Sequence, residues 1–157
     1  MSLVEFTESE MEFSYPEKDC YRIEHSRTYS ALGSGVKICE CVVRKDDRIL
    51  FVEAKSSFAY AKEEGRFQKE LADIQEKFMN TVQVYIGLLV DRPYSHSDTL
   101  PPGLMGDSVR KAPMKCYLII RRYDGDALQS VDDALNQKLA AFRKTLAIED
   151  IKVISAE

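Results

Sequence analysis

Two short segments in the first half of the chain show the hydrophobic pattern of buried β-strands. Residues 36–43 and 49–55 are rich in Val, Ile and Phe, and a short charged segment separates them. A polar link of this length favours a β-hairpin. We expect its turn to be centred between Asp46 and Asp47.

A long amphipathic helix is predicted after this hairpin, beginning near Ala61. Apolar residues follow at spacings of three, four and seven, which describe one helical face. They are Phe67, Leu71, Ile74, Phe78, Val82 and Leu89. Residues 81–90 are β-prone and could instead form a strand, but the helical spacing continues through them and we favour the helix.

The remaining segments complete an alternating order of strands and helices. Residues 91–113 hold four of the 5 prolines and are predicted to be a long exposed loop beside a cleft or partner surface. We expect short strands at 20–24, 114–122 and 151–154 and a helix at 131–146, after an irregular or strand-like lead-in at 1–19. This order predicts an α/β sandwich around a mixed sheet.

Length and composition favour one globular domain covering residues 1–157. The hydrophobic content is 45% and the charged content 31%, as in ordinary globular proteins. Because we find neither an apolar run long enough to cross a bilayer nor a signal peptide, we expect a cytoplasmic protein that does not bind a membrane.

The cysteines are expected to be reduced and buried. They are Cys20, Cys39, Cys41 and Cys116. Cys39 and Cys41 lie two apart in a predicted strand, a spacing that suits neither a disulfide nor a zinc knuckle, and the chain has 2 histidines. A structural zinc site is therefore not predicted.

The predicted hairpin brings two carboxylates together. With the turn between Asp46 and Asp47, Glu40 lies directly opposite Glu53. Lys55 is two residues beyond Glu53 and therefore shares its face of the sheet. Two facing carboxylates repel each other and are costly to bury, and a divalent cation between them would reverse that cost. A buried ion-pair cluster with Lys55 is the structural alternative.

This arrangement resembles the PD-(D/E)XK nuclease superfamily, which has the restriction-endonuclease-like fold. In that family an acidic residue on one core strand precedes an acidic-x-Lys tripeptide on the next. Glu53-Ala54-Lys55 matches the tripeptide, and Glu40 takes the first acidic position, where Asp is usual. The resemblance covers residues 20–122. It implies a mixed central β-sheet flanked by helices, with a further helix before the first core strand that we do not place within residues 1–35.

The resemblance also implies a site and a chemistry. Glu40, Glu53 and the Ala54 carbonyl would hold Mg²⁺ or Mn²⁺, which prefer oxygen ligands. Lys55 would stabilise charge at the phosphate or help to deprotonate the attacking water, and Glu24 would be an upstream acid that supports the metal. Gln68 would orient water or backbone from the helix, although a solvated helix residue is the simpler interpretation.

Two classes of function follow from these expectations. The first is a metal-dependent nuclease acting on nucleic acid, with DNA as the expected substrate and homodimer formation as a further hypothesis. The second is a non-catalytic, nuclease-like module that binds a partner or regulates it. The net charge of −4 argues against non-specific coating of nucleic acid, but it does not exclude a nuclease, because active-site acids add negative charge.

Overall fold

A five-stranded mixed sheet forms the centre of the computed structural model, which describes residues 2–157. Helices pack on one face of this sheet and a separate two-stranded hairpin packs on the other. The sheet strands are β3 (Cys20–Tyr21), β4 (Cys41–Lys45), β5 (Arg48–Lys55), β6 (Met114–Arg121) and β7 (Lys152–Ala156). They lie in the order 3-4-5-6-7. The predicted α/β class is therefore confirmed.

The strand directions change in the middle of the sheet. The pairs β3–β4 and β4–β5 are antiparallel, whereas β5–β6 and β6–β7 are parallel. Parallel strands need a crossover connection, and the helices supply it. Their bounds are α1 (Arg27–Leu32), α2 (Glu64–Leu89), α3 (Asp107–Arg110), α4 (Leu128–Lys138) and α5 (Ala140–Leu146).

The central hairpin has the predicted turn and, within its ladder, the predicted register. Asp46 and Asp47 have φ angles of 51° and 60°, the left-handed values that a two-residue hairpin turn requires. Cys41 pairs with Val52 and the ladder ends there. The Glu40 N–H donates to the Val52 carbonyl at 3.0 Å, so the backbone departs from the predicted register, which would place Glu40 opposite Glu53. The first strand is shorter than predicted, because Lys37 and Cys39 bond to side chains of α2 instead of extending the ladder.

The long helix α2 is confirmed, including its β-prone second half. Its buried face carries Phe67, Leu71, Ile74, Phe78 and Val82. These side chains pack against Ile49 and Phe51 of β5 in the main core. Because the apolar spacing continues through Val82, burial of this face outweighs the β-propensity of the individual residues. The second predicted helix is divided at Leu139 into α4 and α5.

Residues 2–32 are more regular than the sequence pattern indicated. Residues 3–16 form the hairpin of β1 (Leu3–Glu8) and β2 (Met11–Pro16), which covers the second face of the sheet. The predicted strand at 20–24 is limited to Cys20–Tyr21, and a 3₁₀ turn follows at Ile23–His25. The Ser26 hydroxyl accepts a hydrogen bond from the Tyr29 N–H at 3.0 Å and caps α1, the helix that the sequence did not locate.

The proline-rich loop at 91–113 is anchored in the core. Its side chains Leu100, Leu104 and Val109 are buried, and the Tyr85 hydroxyl donates to the Leu104 carbonyl at 2.8 Å. The loop is thus partly structural, in contrast to the exposed loop that its composition predicted. All four cysteines are free and buried, as expected. Among the described residues, no helix is long and apolar enough to cross a membrane.

Candidate metal centre

Glu40 and Glu53 lie close together at the edge of the sheet where β4 begins and β5 ends, near enough for the charge of Glu53 to raise the pKa of Glu40. Glu40 is held at this position by its backbone N–H, which donates to the Val52 carbonyl at 3.0 Å. The relative exposures of the two residues are 8% and 0%. Carboxylates are rarely buried to this extent unless they are paired or bind a cation, so this pair marks a candidate site.

Glu53 has one paired oxygen and one unpaired oxygen. The Lys77 ammonium donates to its Oε2 at 2.6 Å, whereas its Oε1 is buried and has no hydrogen-bond partner among residues 2–157. Burial raises the pKa of Glu53 to about 7, although the nearby Lys77 opposes this shift. Glu53 therefore keeps an oxygen that can accept one further ligand.

The pKa of Glu40 is shifted further than that of Glu53, and no cationic side chain of the described residues pairs with Glu40. Its Oε2 is buried and lacks a hydrogen-bond partner among the described residues. Burial raises the pKa of Glu40 to about 10, helped by a direct contact with the Glu24 carboxyl and by the charge of Glu53. The protein alone thus favours the protonated form of Glu40, and a bound cation would favour the ionised form.

Lys77 is the residue of this site that the sequence interpretation missed. It lies on α2 between the buried residues Ile74 and Phe78, and its side chain is 23% exposed. Burial lowers the pKa of Lys77, but the Glu53 carboxylate outweighs it and the net shift is upward. The available signal was its position beside the apolar face of a helix predicted to cover Glu53.

Lys55 and Ala54 end β5 beside the carboxylates. Lys55 is half-buried and forms no ion pair with a described residue, although its charge acts to lower the pKa of Glu53. The Ala54 carbonyl accepts a hydrogen bond from the Ser9 hydroxyl at 2.9 Å. A carbonyl oxygen has two lone pairs, so this bond leaves one for a metal.

Glu24, on the 3₁₀ turn, lies beside the carboxyl of Glu40, whereas Gln68 is not part of the site. Glu24 is exposed, but its carboxyl contacts that of Glu40. The hairpin residue Glu8, which the sequence interpretation also missed, lies beside Glu24 and His25. Gln68 is exposed on α2 and forms no side-chain hydrogen bond with a described residue. A solvated helix residue remains its simplest interpretation.

The donors around Glu40 and Glu53 fit a divalent cation. Two buried carboxylates each retain an unpartnered oxygen, and a backbone carbonyl lies next to one of them. Oxygen donors of this kind are the ligands that Mg²⁺ and Mn²⁺ prefer. A cation would satisfy both unpartnered oxygens and reduce the repulsion between their carboxylates.

Comparisons of the chain with family models, curated proteins and solved structures found no match. The structure itself shows a mixed α/β protein with a five-stranded sheet. An acidic site flanked by lysines lies at one edge of this sheet.

Proposed function

We propose that this chain is a metal-dependent nuclease of the restriction-endonuclease-like class and that it hydrolyses phosphodiester bonds in nucleic acid, with DNA as the substrate. The observation that carries the proposal is the neighbouring pair Glu40 and Glu53, both buried and each with an oxygen that has no partner among the described residues. The order α1, antiparallel β4 and β5, α2 and parallel β6 also supports the class. The six-residue helix α1 precedes the motif strands, where the resemblance implies a helix.

Each site residue has a role in this proposal. Glu40, Glu53 and the Ala54 carbonyl would hold Mg²⁺ or Mn²⁺, and the bound ion would polarise a phosphoryl oxygen and lower the pKa of a bound water. Lys55, which forms no ion pair with a described residue, stabilises the negative charge that develops on the phosphate. Lys77 neutralises Glu53 and holds its carboxylate in place.

A non-catalytic module is the second candidate, because two contacts within the protein already satisfy some of the candidate metal ligands. Lys77 already pairs with Glu53 at 2.6 Å, and Ser9 already donates to the Ala54 carbonyl. If these contacts persist in solution at millimolar Mg²⁺, the acidic site serves the stability of the fold and the chain binds or regulates a partner instead. The choice between the candidates therefore depends on whether the site binds metal.

The test combines metal binding with DNA cleavage. Wild-type protein is incubated with labelled single-stranded and duplex DNA in Mg²⁺, in Mn²⁺ or in EDTA, and metal binding is measured separately by calorimetry. We expect cleavage that requires the metal and is lost in Glu53→Gln. Glu76→Gln, at an exposed glutamate of α2, is the matched control and should cleave normally. Absence of both metal binding and cleavage would favour the non-catalytic module.

A further inference from the structure

The N-terminal hairpin and the 3₁₀ turn place a second group of ligand atoms beside the first site. One atom each from Glu8, Glu24 and His25 lies within 4.8 Å of the others. Glu8 ends β1, and the turn after it has left-handed φ angles of 51° and 63° at Ser9 and Glu10. The three side chains therefore come from two separate segments and meet at one point.

We propose that Glu8, Glu24 and His25 form a second divalent-cation site, with Glu40 as a wall shared with the first, and that it takes a first-row transition metal in preference to Mg²⁺. Exposed acidic groups often cluster without a ligand, so the proposal needs a further observation. Glu40 provides it: the residue is 8% exposed, its carboxyl contacts that of Glu24, and its buried Oε2 has no partner among the described residues.

The distances suit a cation. His25 Nε2 and Glu8 Oε1 are 3.3 Å apart. Two neighbouring ligands that each lie about 2.1 Å from an octahedral ion are separated by about 3 Å, so this pair needs little movement to bind one. An imidazole ligand also selects the kind of metal, because imidazole binds transition metals well whereas Mg²⁺ prefers oxygen ligands and water.

Arg22 is the competing cation. Its guanidinium lies 3.2 Å from Glu8 Oε1 and 4.1 Å from the centre of the Phe6 ring. A carboxylate offers about four lone-pair positions, so the contact with Arg22 leaves room for a metal on Glu8. Within the described residues, Glu24 and Glu40 form no ion pair with Lys or Arg, and the local charge remains negative.

The hairpin is fixed over the sheet by two contacts outside the cluster. The Ser9 hydroxyl donates to the Ala54 carbonyl, and Arg121 donates to Glu10 at 2.9 Å. These contacts hold the end of β1 at the same edge as Glu40 and Glu53. The fold therefore positions this second site. The inference does not require that the protein hydrolyses nucleic acid.

Mn²⁺ is the probe for the experiment, because its bound nitrogen ligands are detected by electron spin-echo envelope modulation. We expect wild-type protein to bind two Mn²⁺ ions, one of them coupled to an imidazole nitrogen, and to keep this coupling in excess Mg²⁺. His25→Ala should remove the coupling and one ion. His96→Ala alters the second of the 2 histidines, an exposed loop residue, and should change nothing.

Glu53→Gln separates this inference from the proposed nuclease. It should remove the ion of the first site and retain the coupling to nitrogen, with no measurement of DNA cleavage required. Absence of nitrogen coupling in wild type, its survival in His25→Ala, displacement of the coupled ion by Mg²⁺, or its loss in Glu53→Gln would each overturn the inference. Thermal melting of each variant without metal confirms that the fold is intact.

Discussion

The ammonium of Lys77 lies 2.6 Å from Oε2 of Glu53, so the buried carboxylate is paired from the helix that covers it. Lys55, the lysine of the sequence motif, forms no such ion pair with a described residue. The two lysines therefore have different positions relative to the site. Lys77 supports Glu53, whereas Lys55 remains able to contact another anion.

A double-mutant cycle between Glu53 and Lys77 should show strong coupling in stability. Glu53→Gln leaves Lys77 half-buried without its partner, and Lys77→Met leaves Glu53 buried without a cation, so each single change should destabilise the metal-free protein. The double variant should recover part of the loss, with a coupling of about 1–3 kcal/mol in urea denaturation. Additive effects would show that the pair contributes little.

The same measurements test how removal of Glu53 changes the free energy of unfolding, for which the sequence and the structure predict opposite signs. Repulsion between Glu40 and Glu53 alone predicts that removal of Glu53 stabilises the metal-free protein. The pairing with Lys77 reverses the expected sign. Glu53→Gln combined with intact Lys77 should lower the free energy of unfolding, and Glu76→Gln should leave it unchanged within about 0.5 kcal/mol.

Stability should fall as pH rises because of Glu40. Its folded-state pKa is about 10, against an ordinary value of 4.5, so between these values the folded protein holds a proton that the unfolded chain has lost. Stability is then fully present below pH 4.5 and decreases as pH rises towards 10, by at most about 1.4 kcal/mol per pH unit.

Glu40→Gln should flatten this dependence and raise stability at pH 8. Glutamine has a similar shape and is neutral at every pH, so the cost of keeping a proton on the buried carboxyl disappears. Urea denaturation of wild type and Glu40→Gln between pH 5 and pH 9 measures the slope. Equal slopes in the two proteins would show that Glu40 titrates near its ordinary pKa.

Much of the fold followed from periodicity, and the parts that did not have physical reasons. The hairpin register depended on the turn at Asp46 and Asp47, and α2 on seven turns of consistent spacing. The helix α1 has only six residues, too few for a periodic signal, and it is defined by the Ser26 cap.

The candidate site was predictable only where its residues are adjacent in sequence. Glu40, Glu53 and Lys55 belong to one hairpin segment, so the turn at Asp46 and Asp47 was enough to predict that they are near one another, whereas the irregular backbone at Glu40 was not predicted. Lys77 lies on α2 and Glu8 on the β1–β2 hairpin. Their positions at the site depend on how these two elements pack against the sheet. Single-sequence periodicity carries no information on such long-range contacts.

Thr81 should be important for the position of Glu40. Its hydroxyl accepts from the Cys39 N–H at 2.8 Å and donates to the Lys77 carbonyl at 2.6 Å, and the residue is fully buried. Thr81→Val keeps the shape but leaves the Cys39 N–H unpaired, at a cost of about 1–3 kcal/mol.

Thr145→Val is the matched control, because this exposed hydroxyl donates to the Phe142 carbonyl without supporting another segment. We expect a change of less than about 0.5 kcal/mol there. Metal affinity should also weaken in Thr81→Val and not in Thr145→Val. A destabilised Thr81→Val with unchanged metal affinity would show that the bond supports the fold without positioning Glu40.

The proline-rich loop should show two levels of hydrogen-exchange protection. Residues 98–112 are anchored by buried side chains and by Asp98, which accepts from the Thr28 N–H at 3.0 Å and the Tyr21 hydroxyl at 2.9 Å. Residues 92–97 lack buried side chains and should exchange fast. Asp98→Ala should raise exchange across 98–112. Uniformly fast exchange in wild type would support the exposed loop that composition indicated.

The two lysines should give different defects in DNA cleavage. Lys55→Met removes charge stabilisation at the phosphate but no metal ligand, so we expect turnover to fall by about 100-fold or more with unchanged metal binding. Lys77→Met leaves Glu53 buried without its cation, so a bound metal ion would be the remaining positive charge next to this carboxylate. We therefore expect tighter metal binding and a smaller loss of turnover. Lys69→Met, at an exposed lysine of α2, is the control for loss of positive charge and should cleave normally. If Lys77→Met abolished turnover while Lys55→Met retained it, the roles assigned to the two lysines would have to be exchanged.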